Sequence, residues 1–429
     1  MQDYPESWYA ATRTDDQRWP MLSGRTEPEI CVIGGGLAGV TTALELARRG
    51  RDVVLIEAER IGFGASGRNG GFVSPGFARS MASVMAEIGA QAGKALHALS
   101  VEGCDYVRAR VEEFDPALRM GEGWIVARRY RDDDGLRRDR DFLVGELGQA
   151  AELWDTARVR SVLRSPRYHG ALHVPGAFHI HPLNYLRRLA RACQDAGGRI
   201  HESSPALAVA SHGNGHVIST GHGQIHAKHV VLATSASGRR LSATVDRAVL
   251  AVATYIGVTG AIPEQIAGAI ATPAAISDTR RAGDYYRVLA GQRILWGGRI
   301  TTRQSEPARL AHMMRTDMRA VYPQLGQPPM EYAWGGLMGY ALHKMPIIGE
   351  LSPGLWVATA FGGHGLNTTA MAGLLVARAI SGVDDSIKRF TPYGPRWAGG
   401  PFGRVGVQIS YWAMQARDRL DEAKARDAR

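Results

Sequence analysis

The 429-residue chain is 45% apolar and 21% charged, and its 51 basic and 41 acidic side chains leave a formal charge of +10. Those proportions describe a soluble globular protein with room for two or three domains, and they exclude collagen-like, low-complexity and disordered classes. The cationic surplus admits a nucleic-acid partner, yet the basic residues are scattered and not clustered with aromatics, so no nucleic acid is expected.

Met1 to Glu29 is polar, with Trp8, Tyr9 and Trp19, and lacks the charged and apolar regions of a signal peptide. No apolar stretch is long enough to span a bilayer. Cys31, Cys104 and Cys193 share no C-x-x-C spacing, which argues against disulfides and a thiolate metal site and for a reducing compartment. The expectation is a cytoplasmic protein without a metal.

Ile30-Cys-Val-Ile33 then runs into Gly34-Gly-Gly-Leu-Ala-Gly39, an apolar helix that ends at Gly50, and a second apolar strand closed by Glu57. A strand, glycines at G-x-G-x-x-G spacing, a helix and an acid about twenty residues on make up the dinucleotide-binding context. Gly34 makes the tight turn, Gly36 lets the backbone approach a pyrophosphate, and Gly39 lets helix pack on strand. The amides from Leu37 and Ala38 onward are free donors at the positive end of the helix dipole, and Glu57 would accept from a ribose hydroxyl pair.

Arg60 to Gly71 carries five glycines in twelve residues and reads as a loop that brings backbone against a flat or charged group. Apolar spacing at three and four predicts helices over 81–114, a strand follows over 121–128, and 141–158 is again helical. The chain turns over 171–182, and a helix runs from Leu183 to Ala196. Strands at 206–211 and 215–219 form a hairpin, and His229 to Ser235 ends a buried strand. Residues 248–300 are strand-rich, 306–320 helical, 334–366 glycine-rich, and a last internal helix spans Thr368 to Ile380. From about 401 the tail is an amphipathic basic helix that packs on the protein or on a second copy of the chain, so a homodimer is a candidate assembly; a membrane surface is the less favoured alternative, since such a helix would want a stronger Lys/Arg face. Six of the fourteen histidines lie between His201 and His229, on alternating strands and turns without the paired spacing of a metal site.

With these motifs on the page, the chain resembles the FAD-dependent amine and amino-acid oxidases related to D-amino-acid oxidase, glycine oxidase and sarcosine oxidase. Within that family it is most similar to the gamma-glutamylputrescine oxidase branch. The resemblance rests on Gly34–Gly39, Gly64-Ala-Ser-Gly-Arg-Asn-Gly-Gly71, His181-Pro-Leu-Asn-Tyr185, Val230-Val-Leu-Ala-Thr234, Arg293-Ile-Leu-Trp-Gly-Gly298, Trp334-Gly-Gly336, Pro346-Ile-Ile-Gly349 and Gly362-Gly-His-Gly365. It implies an α/β fold, a Rossmann-like FAD-binding domain with an inserted antiparallel-sheet substrate domain. The FAD-binding segments are placed at 1–85, 171–246 and 333–395, the substrate segments at 86–170 and 247–332, and the tail at 396–429. To the residues already named it adds Ala65, Ser66, Gly67, Arg68, Asn69, Gly70, Gly71, Ala233, Gly336, Gly362, Gly363, His364, Gly365 and Leu366 as candidate cofactor contacts. Gly362 to Gly365 leads straight into a helix whose positive end would stabilise charge on the reduced flavin by about 1 kcal/mol.

Departures from the family pattern carry information too. Glycine oxidase and D-amino-acid oxidase hold the substrate carboxylate with an arginine where this chain has Met338, which disfavours a plain α-amino acid. Sarcosine-oxidase relatives tether the flavin through a cysteine in the stretch just before Pro346; no cysteine lies there, and no histidine stands near Ser66, so noncovalent FAD is expected. Sarcosine-oxidase relatives place an oxygen-activating lysine on the strand that here carries Leu295 and Trp296; Lys344 is the nearest lysine in sequence. An amine oxidase must set a C–H bond over the flavin, with a flat apolar wall and few polar anchors. The candidates for that role are Arg68, Asn69, Tyr286, Trp334, His343 and His364, with Trp296, Tyr340 and Lys344 as further lining. The expected activity is oxidation of a primary or secondary amine to an imine that hydrolyses, with O2 or another electron carrier as acceptor.

Overall fold

A computed structural model describes residues 3–238, 240–280 and 283–427. The elements that position the site run in chain order. They begin with β1 (Ile30–Ile33), α1 (Leu37–Ala47), β2 (Val53–Ile56), β3 (Phe72–Val73), α2 (Ala90–Phe114), β4 (Arg119–Ala127), β5 (Ala171–Ile180) and α3 (Pro182–Asp195). There follow β6 (Arg199–His201), β7 (His229–Leu232), β8 (Leu250–Thr259), β9 (Ala275–Asp278), β10 (Tyr285–Leu289), β11 (Arg293–Thr301) and α4 (Leu310–Val321). Last come β12 (Met330–Tyr340), β13 (Ile347–Ser352), β14 (Leu355–Thr359), α5 (Gly365–Ile380) and α6 (Gly400–Asp427).

Ile-Cys-Val-Ile in β1 and Val-Val-Leu-Ile in β2 are buried at every position, as a central parallel strand covered on both faces requires. They lie inside a six-stranded sheet of order β13-β14-β7-β1-β2-β6, parallel except where β13 turns back on β14. All eleven residues of α1 are buried between this sheet and α5. Close helix packing is possible because two glycines remove side chains at the crossings. A Cβ at Gly373 of α5 would lie 2.6 Å from Thr41 of α1, and one at Gly103 of α2 would overlap the Asn367 carbonyl.

A second, nine-stranded sheet has the order β12-β8-β11-β10-β9-β4-β5-β3, with the short strand Glu152–Trp154 paired to β5. All its pairings are antiparallel except β9 with β4. Side chains alternate across it. One face sends Tyr286, Ile294 and Trp296 under α4 with Met318 and Tyr322, and the other sends Leu289, Leu295 and Trp334 against Trp8, Tyr9 and Leu183. A four-stranded sheet, Gly24–Thr26 with the three strands between Ala208 and Ala227, lies outside both.

Three expectations are corrected by this arrangement. Residues 171–182 do not turn: β5 is a strand whose Pro175 and Gly176 are exposed, in a stretch where the ladder to β4 shifts register. The expected helix over 141–158 is broken by the strand Glu152–Trp154. The boundaries between the two sheets move as well, since β3, β5 and β12 all belong to the nine-stranded sheet and α2 packs on α5 of the nucleotide layer.

Candidate active site

Glycine-rich turns gather beyond the carboxyl ends of the parallel strands, where open α/β sheets place their ligands. At the first, Gly34 takes φ +116°, and a Cβ there would come 2.6 Å from the Ala233 carbonyl at the end of β7. A Cβ at Gly39 would overlap the Gly34 carbonyl, so α1 can start only on glycine at this point. Gly36 caps α1 without a side chain, which leaves helix amides near Ala38 available to an anion. The Glu57 carboxylate accepts from the Gly35 amide at 2.6 Å and the Glu59 amide at 3.0 Å, and burial pushes it above the usual carboxylate range. Each oxygen keeps a further lone pair for a ribose hydroxyl.

The second turn, Gly64 to Gly71, folds onto the first: the Leu37 amide donates to Ser66 Oγ at 3.0 Å, and a Cβ at Gly36 would lie 2.9 Å from that oxygen. Asn69 is consumed inside this turn. Its amide donates to the Ala65 and Ser66 carbonyls, and its Oδ1 accepts from the Gly71 amide. Arg68 joins the turn to the second sheet, since its Nε donates to the Phe63 carbonyl and its carbonyl accepts from Trp334 Nε1 at 3.0 Å. Its guanidinium lies 4.9 Å over the Phe63 ring, and burial holds its pKa below the usual arginine range. Gly67 packs against Leu183, Gly70 against the Tyr285 ring, and Gly71 at φ +83° against the Arg287 guanidinium.

At the third turn Ala360 and Gly362 take φ +60° and +62° between β14 and α5. His364 Nε2 lies 2.9 Å from the Ser74 carbonyl and 3.1 Å from that of Pro75, so this nitrogen carries the proton. Burial lowers the His364 pKa, which keeps the ring neutral. No side chain caps α5, so Gly365 and Leu366 begin a sixteen-residue helix with an open positive end. Two uncapped helix starts, a ribose-ready carboxylate and glycines packed too tightly for any Cβ fit FAD.

The even-numbered residues of β12 face these turns. Trp334 reaches Arg68, Gly336 lies beside the Arg68 Cβ, Met338 Sδ is 4.0 Å from where a Gly363 Cβ would stand, and Tyr340 packs on Gly362 and Gly363. Tyr285 joins this wall from β10: its ring folds across Gly297, where no Cβ could fit. Burial raises the phenol pKa of both Tyr285 and Tyr340, so each stays protonated.

Not every candidate belongs here. Tyr286 and Trp296 point to the opposite face, stacked at 4.2 Å, and the Tyr286 hydroxyl lies 2.8 Å from those of both Tyr168 and Tyr322. That is a buried core network, and the neighbouring Tyr285 takes the place expected of Tyr286. His343 braces a turn, accepting from the Met345 amide and meeting the Gly394 carbonyl through Nε2, and Lys344 is exposed. Trp334 is 2% exposed and acts as a brace for the Arg68 turn. Tyr285 was missed because two adjacent tyrosines leave strand parity open; the small Gly297 opposite it in the ladder was the available signal.

The architecture is that of a dinucleotide-binding protein in which a Rossmann-like layer faces an antiparallel sheet. Residues 29–379 match the model of the FAD dependent oxidoreductase family DAO, and the chain belongs to that family, with FAD as its cofactor. It is 31% identical to the gamma-glutamylputrescine oxidoreductase of Escherichia coli, over 98% of this chain and 100% of that one. It is 30% identical to a probable oxidoreductase, OrdL, of Haemophilus influenzae, over 95% and 96% of the two chains. Glycine oxidase from Geobacillus kaustophilus superposes with a TM-score of 0.71 at 23% identity, over 86% of this chain and 98% of that one. Among the described residues no helix is long and apolar enough to cross a membrane, and no group of three or more potential ligands could hold a metal ion.

Proposed function

We propose that the chain oxidises a C–N bond of a primary or secondary amine of the gamma-glutamylputrescine type, with noncovalently held FAD and with O2 reduced to H2O2. The observation that carries this reading is the wall Gly336-Met338-Tyr340 with Tyr285, braced from behind by Trp334. It is built of glycine, methionine and tyrosine with no charged side chain, and by the family resemblance Met338 takes the position of the carboxylate-clamping arginine. End-to-end similarity to a gamma-glutamylputrescine oxidoreductase supports the same substrate class.

FAD, when bound, supplies the two-electron acceptor for the substrate C–H bond. The protein's own part is positioning. The open end of α5 offers amides beside the site, the Gly363 amide donates to the Tyr340 hydroxyl and fixes that ring, Tyr285 adds a second ring, and the β12 wall excludes water. Burial lowers the His364 pKa and its Nε2–H is spent on backbone carbonyls, so the ring is a poor base and the substrate amine arrives unprotonated. The neutral amine loses two electrons and one proton as a hydride to give an iminium ion, a second proton leaves to solvent to give the imine, and water converts that to a carbonyl compound with release of ammonia from a primary amine or of a smaller amine from a secondary one. kcat/KM should therefore rise with pH along the titration of the substrate ammonium, and the rise should move when an amine of different pKa is used.

A dehydrogenase that passes electrons to a quinone or carrier protein is the second reading, favoured by Leu295 and Trp296 lying buried and apolar in β11. One experiment separates the two. Purified holoenzyme is mixed anaerobically with gamma-glutamylputrescine, putrescine, sarcosine, glycine and D-amino acids, the flavin absorbance is followed, and oxygen is then admitted. Bleaching by gamma-glutamylputrescine with rapid recovery and peroxide supports the oxidase. Bleaching that persists in air supports the dehydrogenase, and bleaching only by glycine or D-amino acids rejects the amine reading.

A further inference from the structure

The tail helix α6 is turned the unexpected way round. Its inward side carries Gln408, whose Oε1 accepts from the Thr301 hydroxyl and the Thr302 amide at 2.8 and 2.9 Å. Arg404 Nη2 donates to the Thr302 carbonyl, Glu422 pairs with Arg129 at 3.0 Å, and Asp418 is buried. Its outward side is apolar. Among the described residues six of the twelve exposed large apolar side chains fall between Trp397 and Leu420, with Phe402 84% exposed. An amphipathic helix that spends its polar side on the protein and shows its apolar side outward has a further surface to meet.

We propose that this surface is the twofold interface of a homodimer, in which α6 packs antiparallel on α6 of a second copy about an axis through Ile409. The outward stripe is Phe402, Val405, Gly406, Ile409, Trp412, Ala413 and Ala416. Antiparallel pairing centred on residue 409 sets Phe402 at the height of Ala416, Val405 at that of Ala413, and Trp412 at that of Gly406. Every level then holds one large and one small side chain, with Ile409 meeting itself, which is the self-complementarity a twofold contact demands. A groove of about 360 Å³ beside Val405, Ile409 and Trp412, floored by Thr302, gives the large side chains room to interdigitate. The exposed stripe offers on the order of 700 Å² per copy, against the roughly 800 Å² each partner gives a standard interface. The stripe carries no charge from Pro401 to Ala416, and Arg417 and Arg419 follow only at its edge. A lipid-bound helix would instead flank its apolar side with cations, and here the polar side is bonded inward.

Sedimentation velocity on the holoenzyme tests this, with Ile409→Arg and Gly406→Leu as exposed variants that leave the core untouched. The native chain is expected to be a dimer. Ile409→Arg should be monomeric with unchanged flavin content and melting temperature, and Gly406→Leu should raise the dimer dissociation constant by about a hundredfold. The native cysteines are all buried. Ile409→Cys should therefore cross-link to itself under mild oxidation, whereas Leu420→Cys, about 33 Å from its twin in this pairing, should not. A native chain that stays monomeric at 50 µM (about the upper working range of the method), or a dimer indifferent to Ile409→Arg, overturns the proposal. So does cross-linking at Leu420→Cys in place of Ile409→Cys, or a monomer that co-sediments with phosphatidylglycerol vesicles.

Discussion

Tyr285 and Tyr286 are adjacent and chemically identical, yet they serve different layers of the protein. Tyr285 lies across Gly297 against the second glycine turn, whereas Tyr286 joins Tyr168 and Tyr322 in a chain of hydroxyls under α4. Tyr286→Phe removes the central hydroxyl of that chain and should cost about 1–3 kcal/mol of stability, because two buried oxygens lose a partner. Amine turnover should change little. Tyr285→Leu should do the reverse, lowering kcat/KM by about tenfold through a misplaced substrate while the melting temperature moves less. Thermal unfolding and steady-state kinetics on the two variants read both effects; equal kinetic losses would remove Tyr285 from the wall.

At the scale of the strand, β12 sets the chemistry of the wall through one alternating row. Met338 is the position to change, because its neighbours along the row are a brace, a glycine and a tyrosine. Met338→Arg places a guanidinium beside Gly363 and should lower kcat/KM for the amine by about tenfold. It should also give glycine or a D-amino acid measurable flavin reduction through a carboxylate pair. Unaltered preference across the substrate panel would show that Met338 does not face the substrate.

Elements of this kind also show what the sequence made legible. The glycine turns were readable because each is a local device: spacing alone fixes which amides are free and where a Cβ is forbidden. β5 was not, because Pro175-Gly176 is a turn signal on any local scale, and only pairing with β4 and β3 makes it a strand. The tail was legible as a two-sided helix, but periodicity says only that two sides exist. Which side turns inward depends on Thr301, Thr302 and Arg129, far away in sequence.

For the whole molecule, the junction between the two sheets is a reservoir of pH sensitivity. His179 and His181 are both pushed down to about 3, by burial first and then by the Arg287 guanidinium, from a starting value of 6.5. Folded, they stay neutral; unfolded, they take up protons below 6.5. Their contribution to stability is therefore complete above that pH and drains away as pH falls toward 3. Asp284, pushed up to about 7 mainly by burial, works in the other direction, because the folded chain holds its proton where the unfolded chain does not. His181 Nδ1 accepts from the Asn184 amide at the start of α3, a cap that asparagine can also supply. His181→Asn should thus remove about one proton, or about 1.4 kcal/mol per pH unit, from the acid slope of stability between 6 and 4. Urea midpoints at stepped pH measure it, and an unchanged slope would mean His181 titrates normally in the fold.

The order of strands in the six-stranded sheet also dictates a timetable for synthesis. Ile30 pairs early with Val53 on one side, but its other neighbour is His229, and Val230 in turn pairs beside Leu355, so one flank of the first strand waits for a partner some two hundred residues later. The turn that faces Tyr340 is completed only when residues 362–365 have been made. A growing chain makes its first two glycine turns early, but the third exists only once residue 365 is made, so flavin capture across all three turns is expected late in the birth of the protein. Contacts this distant in sequence are slow to form. The cofactor then acts as the final fastening of a nucleotide layer whose pieces were made far apart in time.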